Sequence, residues 1–351
     1  MSFRILVVNP GSTSTKIAVY EGESPTYSET LRHEAALLHQ YPGIWDQFEF
    51  RLEAIRRWIK DVGGRFDAVI SLGGLLKPVR GGIYAVSSQV LADAQANLQG
   101  EHASNLGCAL VDALAKEYDS PAYMADPVSV DEFEPLARYS GHPLIERSSL
   151  SHALNIHAAA ARAAAELSLP FSRSSFVVAH LGGGISVAPV KGGQIIDIND
   201  ASSDGPFSPE RTGGLPLQQF ITLCFSGKFT EREMRKFVMG KGGLSAYLDT
   251  NSAPEVEIRI KAGDRRAQEV FEAMGYQIAK EIGAMTTVLQ GQLNAIVLTG
   301  GLASSTVLIE WIKARVAFLA PVLLYPGEDE MRSLAVGALR ILRGEQKLLE
   351  Y

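Results

Sequence analysis

Residues 3–22 read FRILVVNPGSTSTKIAVYEG, and residues 176–192 read FVVAHLGGGISVAPVKG. Each begins with an aliphatic run of strand type and breaks at a glycine-containing turn. Each then resumes in alternation and turns again at a charged residue followed by glycine. Asn9 aligns with His180 and Gly11 with Gly182, an offset of 171 residues. After a one-residue gap Ala18 aligns with Ala188 and Gly22 with Gly192, an offset of 170. Both hairpins open a half of the chain, so the pattern predicts two copies of one unit. Backbone N–H groups in such turns converge on an anion, and a missing Cβ permits close approach. Neither turn has the GxxxxGK[ST] spacing of a P-loop, and neither opens a helix as GxGxxG does. Two glycine hairpins in duplicated halves point instead to a nucleotide held between the halves.

Composition agrees with that reading and excludes others. At about 150 residues per domain, 351 residues predict roughly two domains. With 46% hydrophobic and 21% charged residues there is matter for substantial cores and no signature of disorder. A net charge of −6 argues against a nucleic-acid partner, which needs clustered Lys and Arg. The longest apolar run, Val316 to Tyr325, is interrupted by Pro321 and is too short to span a membrane. The first aliphatic run is too short for a signal sequence, so a cytoplasmic location is expected. Cys108 and Cys224 lie far apart in apolar contexts and make neither a disulfide framework nor a metal quartet. Glycine is in excess: 33 residues where the usual ~7% would give about 25.

The remainder alternates helices and strands, as an α/β fold with mixed sheets does. Ile44 to Val62 is amphipathic, with Trp45, Phe48, Leu52, Ile55 and Ile59 on one face. A buried strand is expected over Asp67 to Leu72. Leu91 to Tyr118 reads as helix interrupted near Gly100 and Gly107. Ala122 to Ala125 reads as a strand delivering Asp126. Ser151 to Leu167 reads as an alanine-rich helix with serines available as caps. Helices follow near 215–226, 230–239 and 264–290. A strand at Ala295 to Leu298 ends in Thr299-Gly300-Gly301, and helices over Ser304 to Val316 and Glu330 to Arg343 flank a strand around Pro321 to Leu324.

Several strings, taken in order along the whole chain, resemble the short-chain acyl kinases. They are Asn9-Pro-Gly-Ser-x-Ser-x-Lys16, His180-Leu-Gly-Gly-Gly-Ile-Ser186, Arg211-Thr-Gly-Gly-Leu215 and Leu298-Thr-Gly-Gly-Leu-Ala303. Pro78-Val-Arg80-Gly-Gly-Ile-Tyr84, His102-Ala-Ser-Asn-Leu-Gly107, Tyr123-Met-Ala-Asp126-Pro-Val128 and Tyr325-Pro-Gly-Glu328-Asp-Glu330 match as well. The similarity is greatest to the butyrate kinase branch of the acetate kinase superfamily. Two departures favour that branch. Arg147-Ser-Ser-Leu-Ser-His152 stands where acetate kinases carry Phe-His-Gly-Thr-Ser-His, so Ser148 replaces a histidine and His152 is retained. Gly300-Gly-Leu-Ala-Ser-Ser305 stands where they carry Gly-Gly-x-Gly-Glu-Asn, leaving no counterpart of that glutamate.

The resemblance implies an α/β, duplicated actin-like (RNase H-type) fold of two lobes with an interdomain nucleotide cleft. Residues 1–130 with 330–351 would form the N-terminal lobe, and 131–329 the nucleotide-binding lobe. It implies reversible phosphoryl transfer between ATP and a short carboxylate, giving ADP and an acyl phosphate, with Mg2+ as cofactor. Elementary chemistry fits: a carboxylate with pKa near 4 is ionised at neutral pH, so its kinase needs no base. Asn9 stands where many actin-like kinases place Asp. Two anions must meet, so cations matter, and Arg80 and Arg211 beside glycines can hold oxygens bidentately. His180 leads a phosphate turn and is placed to donate to the transferring group. Ser12, Ser14, Lys16, Gly182, Gly183, Gly184, Gly300 and Gly301 are the expected phosphate and nucleotide contacts. His102, Ser148 and His152, with Arg80, are the expected substrate contacts. Asp126 is a direct or water-mediated Mg2+ ligand, with Glu328 or, alternatively, Glu330 as a second. A homodimer or higher homo-oligomer is implied, with a phosphate acyltransferase as metabolic partner. Acetate, propionate or a branched acid is the alternative substrate. An actin-like ATPase switch is the alternative from another class.

Overall fold

The structure, a computed structural model, describes residues 2–351. In chain order its strands are β1 (Arg4–Pro10), β2 (Ser14–Glu21), β3 (Ser24–Arg32), β4 (Ala68–Leu72), β5 (Ile83–Ala85), β6 (Ala122–Ala125), β7 (Tyr139–His142), β8 (Ile145–Glu146), β9 (Ser175–Leu181), β10 (Ile185–Lys191), β11 (Gln194–Ile195), β12 (Ala295–Gly300) and β13 (Val322–Pro326). Its helices are α1 (Ala35–Leu38), α2 (Phe48–Val62), α3 (Ser88–Gln95), α4 (Asn105–Tyr118), α5 (Ala153–Glu166), α6 (Leu217–Cys224), α7 (Glu231–Val238), α8 (Gly243–Leu248), α9 (Ala253–Lys261), α10 (Arg265–Val288), α11 (Thr306–Val316) and α12 (Glu330–Leu342). The chain forms two compact units: one runs up to Asp131 and resumes over Asp329–Tyr351, and the other is Glu132–Glu328.

The two quoted stretches form hairpins because their leading strands are apolar on both faces. In β1 and in β9 every residue after the first is buried, as a strand covered by helices on both sides requires. The sheet of the first unit has the order β3-β2-β1-β4-β6-β5, and that of the second β11-β10-β9-β12-β13. Five strands of each match in order and direction: the first two pairings are antiparallel and the next two parallel. The duplication read from the hairpins therefore extends to whole sheets. Register also explains the one-residue gap. Asn9 pairs with Lys16, whereas His180 pairs with Ser186, so the second turn is one residue shorter.

Alternation along each strand sorts its side chains between two helical layers. In the first unit Leu6, Val8, Ile17, Val19 and Val69 pack on Leu52, Ile55 and Ile59 of α2 and on Leu106, Leu110 and Leu114 of α4. The other sheet face carries α12, which buries Leu334, Ala335, Ala338 and Leu339. In the second unit Val177, Ala179, Leu181, Ile296 and Leu298 pack on Phe271, Met274, Ile278 and Ile282 of α10 and on Leu308 and Ile312 of α11. There the opposite face carries α5. Each fully buried Leu, Ile or Phe contributes about 1.5–3 kcal/mol, so both units hold their own cores. Asn9 shares the parity of Ile5 and Val7, on the α12 side. His180 shares that of Phe176 and Val178, on the α5 side.

Some local expectations need correction. The helix expected from Ile44 begins as a 3-10 turn over Trp45–Gln47 and becomes α2 at Phe48. Gly107 does not interrupt a helix; α4 runs through it, because a Cβ there would lie 2.8 Å from the Leu72 carbonyl oxygen and 2.9 Å from Ser71 Oγ. Glycine at that position lets helix and sheet approach. The serines before α5 do not cap it: His152 is the N-cap residue and makes no side-chain capping bond. Two short helices, α8 and α9, stand where none was expected. Cys108 lies in the core, and burial pushes its thiol up to about 12.

The glycine contrast gives a sign test. Gly107→Ala gains up to about 1 kcal/mol of helix propensity but forces an overpacked contact costing about 1–3 kcal/mol. Gly283 on α10 has open space where a Cβ would go, so Gly283→Ala should stabilise by up to about 1 kcal/mol. Urea unfolding should move in opposite directions for the two variants.

Candidate active site

In the first unit the turn after β1 and the start of α12 meet. Asn9 is buried, and its Nδ2 donates to Glu330 Oε2 at 2.8 Å. Lys16 Nζ, across the hairpin, lies 3.7 Å from the same oxygen. Glu330 occupies the first turn of α12, where a negative charge is favoured. It is thereby an anchor that orients Asn9 and Lys16. Ser12 and Thr13 are exposed at the tip of the turn.

A second loop of this unit carries Arg80. The chain after β6 puts Asp126 at φ +33°, and the Asp126 Oδ1 accepts from the Gly82 N–H at 2.7 Å. The Asp126 N–H in turn donates to the Gly82 carbonyl at 3.0 Å. This two-way clamp brings the Arg80-Gly81-Gly82 loop and Asp126 together. Arg80 itself is exposed, and its carbonyl accepts from the Tyr84 hydroxyl at 2.6 Å. His102 precedes α4 and is exposed; the Ser104 N–H donates to its Nδ1 at 3.2 Å.

In the second unit the expected residues converge more closely. Gly182, Gly183 and Gly184 join β9 to β10, and Ser208 Oγ donates to the Gly183 carbonyl at 2.6 Å. Arg211 lies against the turn, its guanidinium occupying the space a Cβ on Gly184 would take. Nη1 also donates to the Ala201 carbonyl at 3.1 Å. Burial lowers the Arg211 pKa, opposed by Asp200 and Glu210. His180, at the end of β9, is 1% exposed, and among the described residues neither ring nitrogen has a hydrogen-bond partner. Its Nε2 is 3.5 Å from Glu328 Oε1, too long for a strong hydrogen bond. A Cβ on Gly182 would sit 3.5 Å from that same nitrogen, so the turn curls over the imidazole.

His152, at the head of α5, stacks on His180 with centroids 4.5 Å apart and planes tilted by 32°. Its Nδ1 lies 3.0 Å from Ser186 Oγ. Burial, then the neighbouring His180 and Arg211, hold its pKa down at about 3, with Glu328 opposing. Ser148 is exposed, while the hydroxyls of Ser149 and Ser151 are buried without partners among the described residues. Gly300 needs its φ of +93°, and a Cβ there would lie 2.4 Å from the Leu181 carbonyl oxygen. It pairs with Gly327 through two N–H···O bonds of 3.1 and 3.0 Å. Gly301 opens a short 3-10 helix and has free space around its Cα.

Comparison with known proteins follows the same lines. A model of the acetokinase family matches residues 150–319. Over 347 residues the chain is 51% identical to the probable butyrate kinase 2 of Caldanaerobacter subterraneus subsp. tengcongensis, covering 98% of each. It is 48% identical to the butyrate kinase 2 of Clostridium acetobutylicum, covering 100% of each. The chain belongs to the acetokinase family. Among solved structures, the acetate kinase of Porphyromonas gingivalis superposes with a TM-score of 0.78 at 17% identity, covering 97% of this chain and 99% of that one. A propionate kinase from Francisella tularensis gives 0.76 at 18%, covering 96% and 99%. At those identities the likeness is one of fold, and it bears out the actin-like architecture.

Two arginines of this acetokinase were missed in the sequence. Arg147 fixes the stretch leading to His152, with Nη1 2.9 Å from Asp197 Oδ1 and Nη2 donating to the Ile198 carbonyl at 2.8 Å. Arg51 is fully buried under the first turn. Its spacing from Phe48 and Ile55 on the apolar face of α2 was the available signal. Among the described residues no three His, Cys, Asp or Glu side chains gather as a metal cage.

Two histidines, His33 buried and His152 partly buried, set an acid limit on stability. His152 is held near 3, and His33 near 4 by burial and by Arg51, both below the ordinary value of about 6.5. The folded state therefore keeps them neutral, and the unfolded chain takes up protons first as pH falls. Their contribution is complete above pH about 6.5 and is lost progressively toward pH 4. Urea unfolding at pH 5.5 should show a loss of about 1 kcal/mol per histidine relative to pH 7, and His33→Gln should flatten that dependence.

Proposed function

We propose that this acetokinase phosphorylates butyrate, or a branched acid of similar size, reversibly from ATP to give the acyl phosphate and ADP. The observation that carries this reading is His180. A buried imidazole with no hydrogen-bond partner among the described residues, curled under a glycine turn beside the half-buried Arg211, has the donor set for an anion. Identity near 50% to proteins named butyrate kinases, across the whole chain, supports the acyl chain.

The reaction follows from the charges. A carboxylate oxygen attacks the terminal phosphorus, the bond from that phosphorus to the bridging oxygen breaks, and ADP carries away the electron pair. The attacking group is already ionised at neutral pH. Asn9, a neutral amide, stands where proton removal would otherwise be needed, and Glu330 orients it. Arg211 and His180 donate to the transferring phosphoryl. Ser12, Ser14 and Lys16 contact phosphate oxygens. Arg80, on its exposed loop, would receive the carboxylate together with His102, while Ser148 and the neutral His152 bound the substrate side of the second unit. Asp126 would hold Mg2+, which neutralises phosphate charge when bound. Acyl phosphates are consumed by acyl transfer, so a phosphate acyltransferase reaction is the natural neighbour.

A hydroxamate assay with acetate, propionate, butyrate, isobutyrate and isovalerate tests the proposal. The highest kcat/KM is expected for butyrate or a branched four- or five-carbon acid. One methylene is worth about 1–3 kcal/mol, so acetate should fall behind by tenfold or more. Turnover of none of the acids, with ATP hydrolysis intact, would instead support an ATPase switch. Arg211→Ala should lower kcat at least a hundredfold in protein that remains folded, because a transition-state arginine is worth roughly 10³–10⁵ in rate. A near-wild-type rate would remove Arg211 from the chemistry.

A further inference from the structure

Arg51 is a fully buried arginine on α2 with no carboxylate partner among the described residues. Burial lowers its pKa only to about 10, so it stays charged at neutral pH. An uncompensated buried charge is costly and is tolerated only where its hydrogen bonds are well met. Here they are met almost entirely by one turn. Nη1 donates to the carbonyls of Gly11 at 3.0 Å and Ser14 at 3.1 Å, and to Thr15 Oγ1 at 3.1 Å. Nη2 reaches the Ser12 carbonyl at 3.4 Å. Nε and Nη2 both donate to Gln47 Oε1, at 3.1 and 2.9 Å, which fixes the plane of the guanidinium. His33, with Nε2 2.9 Å from Thr15 Oγ1, completes the network behind the turn.

The consequence lies on the opposite side. In a planar trans peptide the C=O and the following N–H point in opposite directions. Drawing the Gly11 and Ser12 carbonyls inward therefore turns the N–H groups of Ser12 and Thr13 outward. Those two N–H groups have no acceptor among the described residues. An exposed pair of N–H groups flanked by the hydroxyls of Ser12 and Ser14 and the ammonium of Lys16 is an anion nest. The same guanidinium adds a positive charge beneath it.

We propose that Arg51 is a positioning residue that holds the turn over Gly11–Ser14 in its anion-binding form, by capturing three of its carbonyls from below. This rests on the assignment of that turn to phosphate made above. It adds that nucleotide affinity in the first unit is set by a residue that touches no nucleotide. The single guanidinium fork matters, since an ammonium cannot span three carbonyls and a side-chain amide at once.

Calorimetric titration with MgATP, in the absence of any carboxylate, measures the effect directly. Arg51→Lys and Arg51→Met should each weaken MgATP binding at least tenfold. The KM for the carboxylate should stay within twofold, and free guanidinium should partly restore binding to Arg51→Ala. A purely structural role would lower the fraction of active protein without changing Kd, or would raise both constants together; either result overturns the proposal. Wild-type affinity in a folded Arg51→Lys also overturns it. Should the Arg51 variants not fold, Gln47→Leu frees one edge of the guanidinium and should still weaken MgATP binding several-fold, and unchanged affinity there overturns the proposal. Failure of the wild-type chain to phosphorylate any acid would leave these binding results standing and remove only the carboxylate assignment.

Discussion

A phosphate-binding turn has to satisfy two opposed demands: backbone N–H groups must face outward with no side chain over them, and the same backbone must be held rigidly. Glycine meets the first demand and works against the second, because it surrenders the most conformational freedom on folding. The glycine-containing turn of each unit is propped by something outside it. In the second unit Ser208 holds the Gly183 carbonyl, Arg211 fills the space a Gly184 Cβ would take, and Gly300 presses its Cα against Leu181. In the first unit a buried guanidinium does the work from below. The copies share their sheet order and direction while using different props.

The equivalent positions at the ends of β1 and β9 have diverged in the same way. Asn9 is a neutral amide engaged by Glu330 at the head of α12. His180 is an imidazole stacked on His152 at the head of α5. Both use a helix start on the same face of the sheet, so topology supplies the place and the side chain supplies the chemistry. A net charge of −6 is compatible with small anionic ligands because the cations that matter are few, local and held by neutral carbonyls as well as by carboxylates.

Much of this was legible in the chain. The hairpins announced themselves through aliphatic runs and glycine, since strand periodicity and turn chemistry are local properties. The ordered strings around Arg80, Asp126, His180 and Arg211 announced the acetokinase family. What escaped was whatever depended on partners distant in sequence. Gly107 reads as a helix breaker until the Leu72 carbonyl is seen beside it. The serines before α5 read as caps, yet the hydroxyls of Ser149 and Ser151 are buried without partners among the described residues. Arg51 reads as one more charge on an amphipathic helix, although its position four residues before Ile55 put it on the buried face.

The sequence by itself determined the elements, the duplication and the family, because hydrophobic period, glycine placement and motif order are written in consecutive residues. Only the tertiary structure decided which groups face one another. That includes Glu330 on Asn9 and Lys16, Glu328 beside His180, and Arg51 beneath residues 11–14. The reason is physical. Hydrogen-bond partnership and charge burial are set by distances between segments tens to hundreds of residues apart, and those distances exist only once the sheets have closed on their helices.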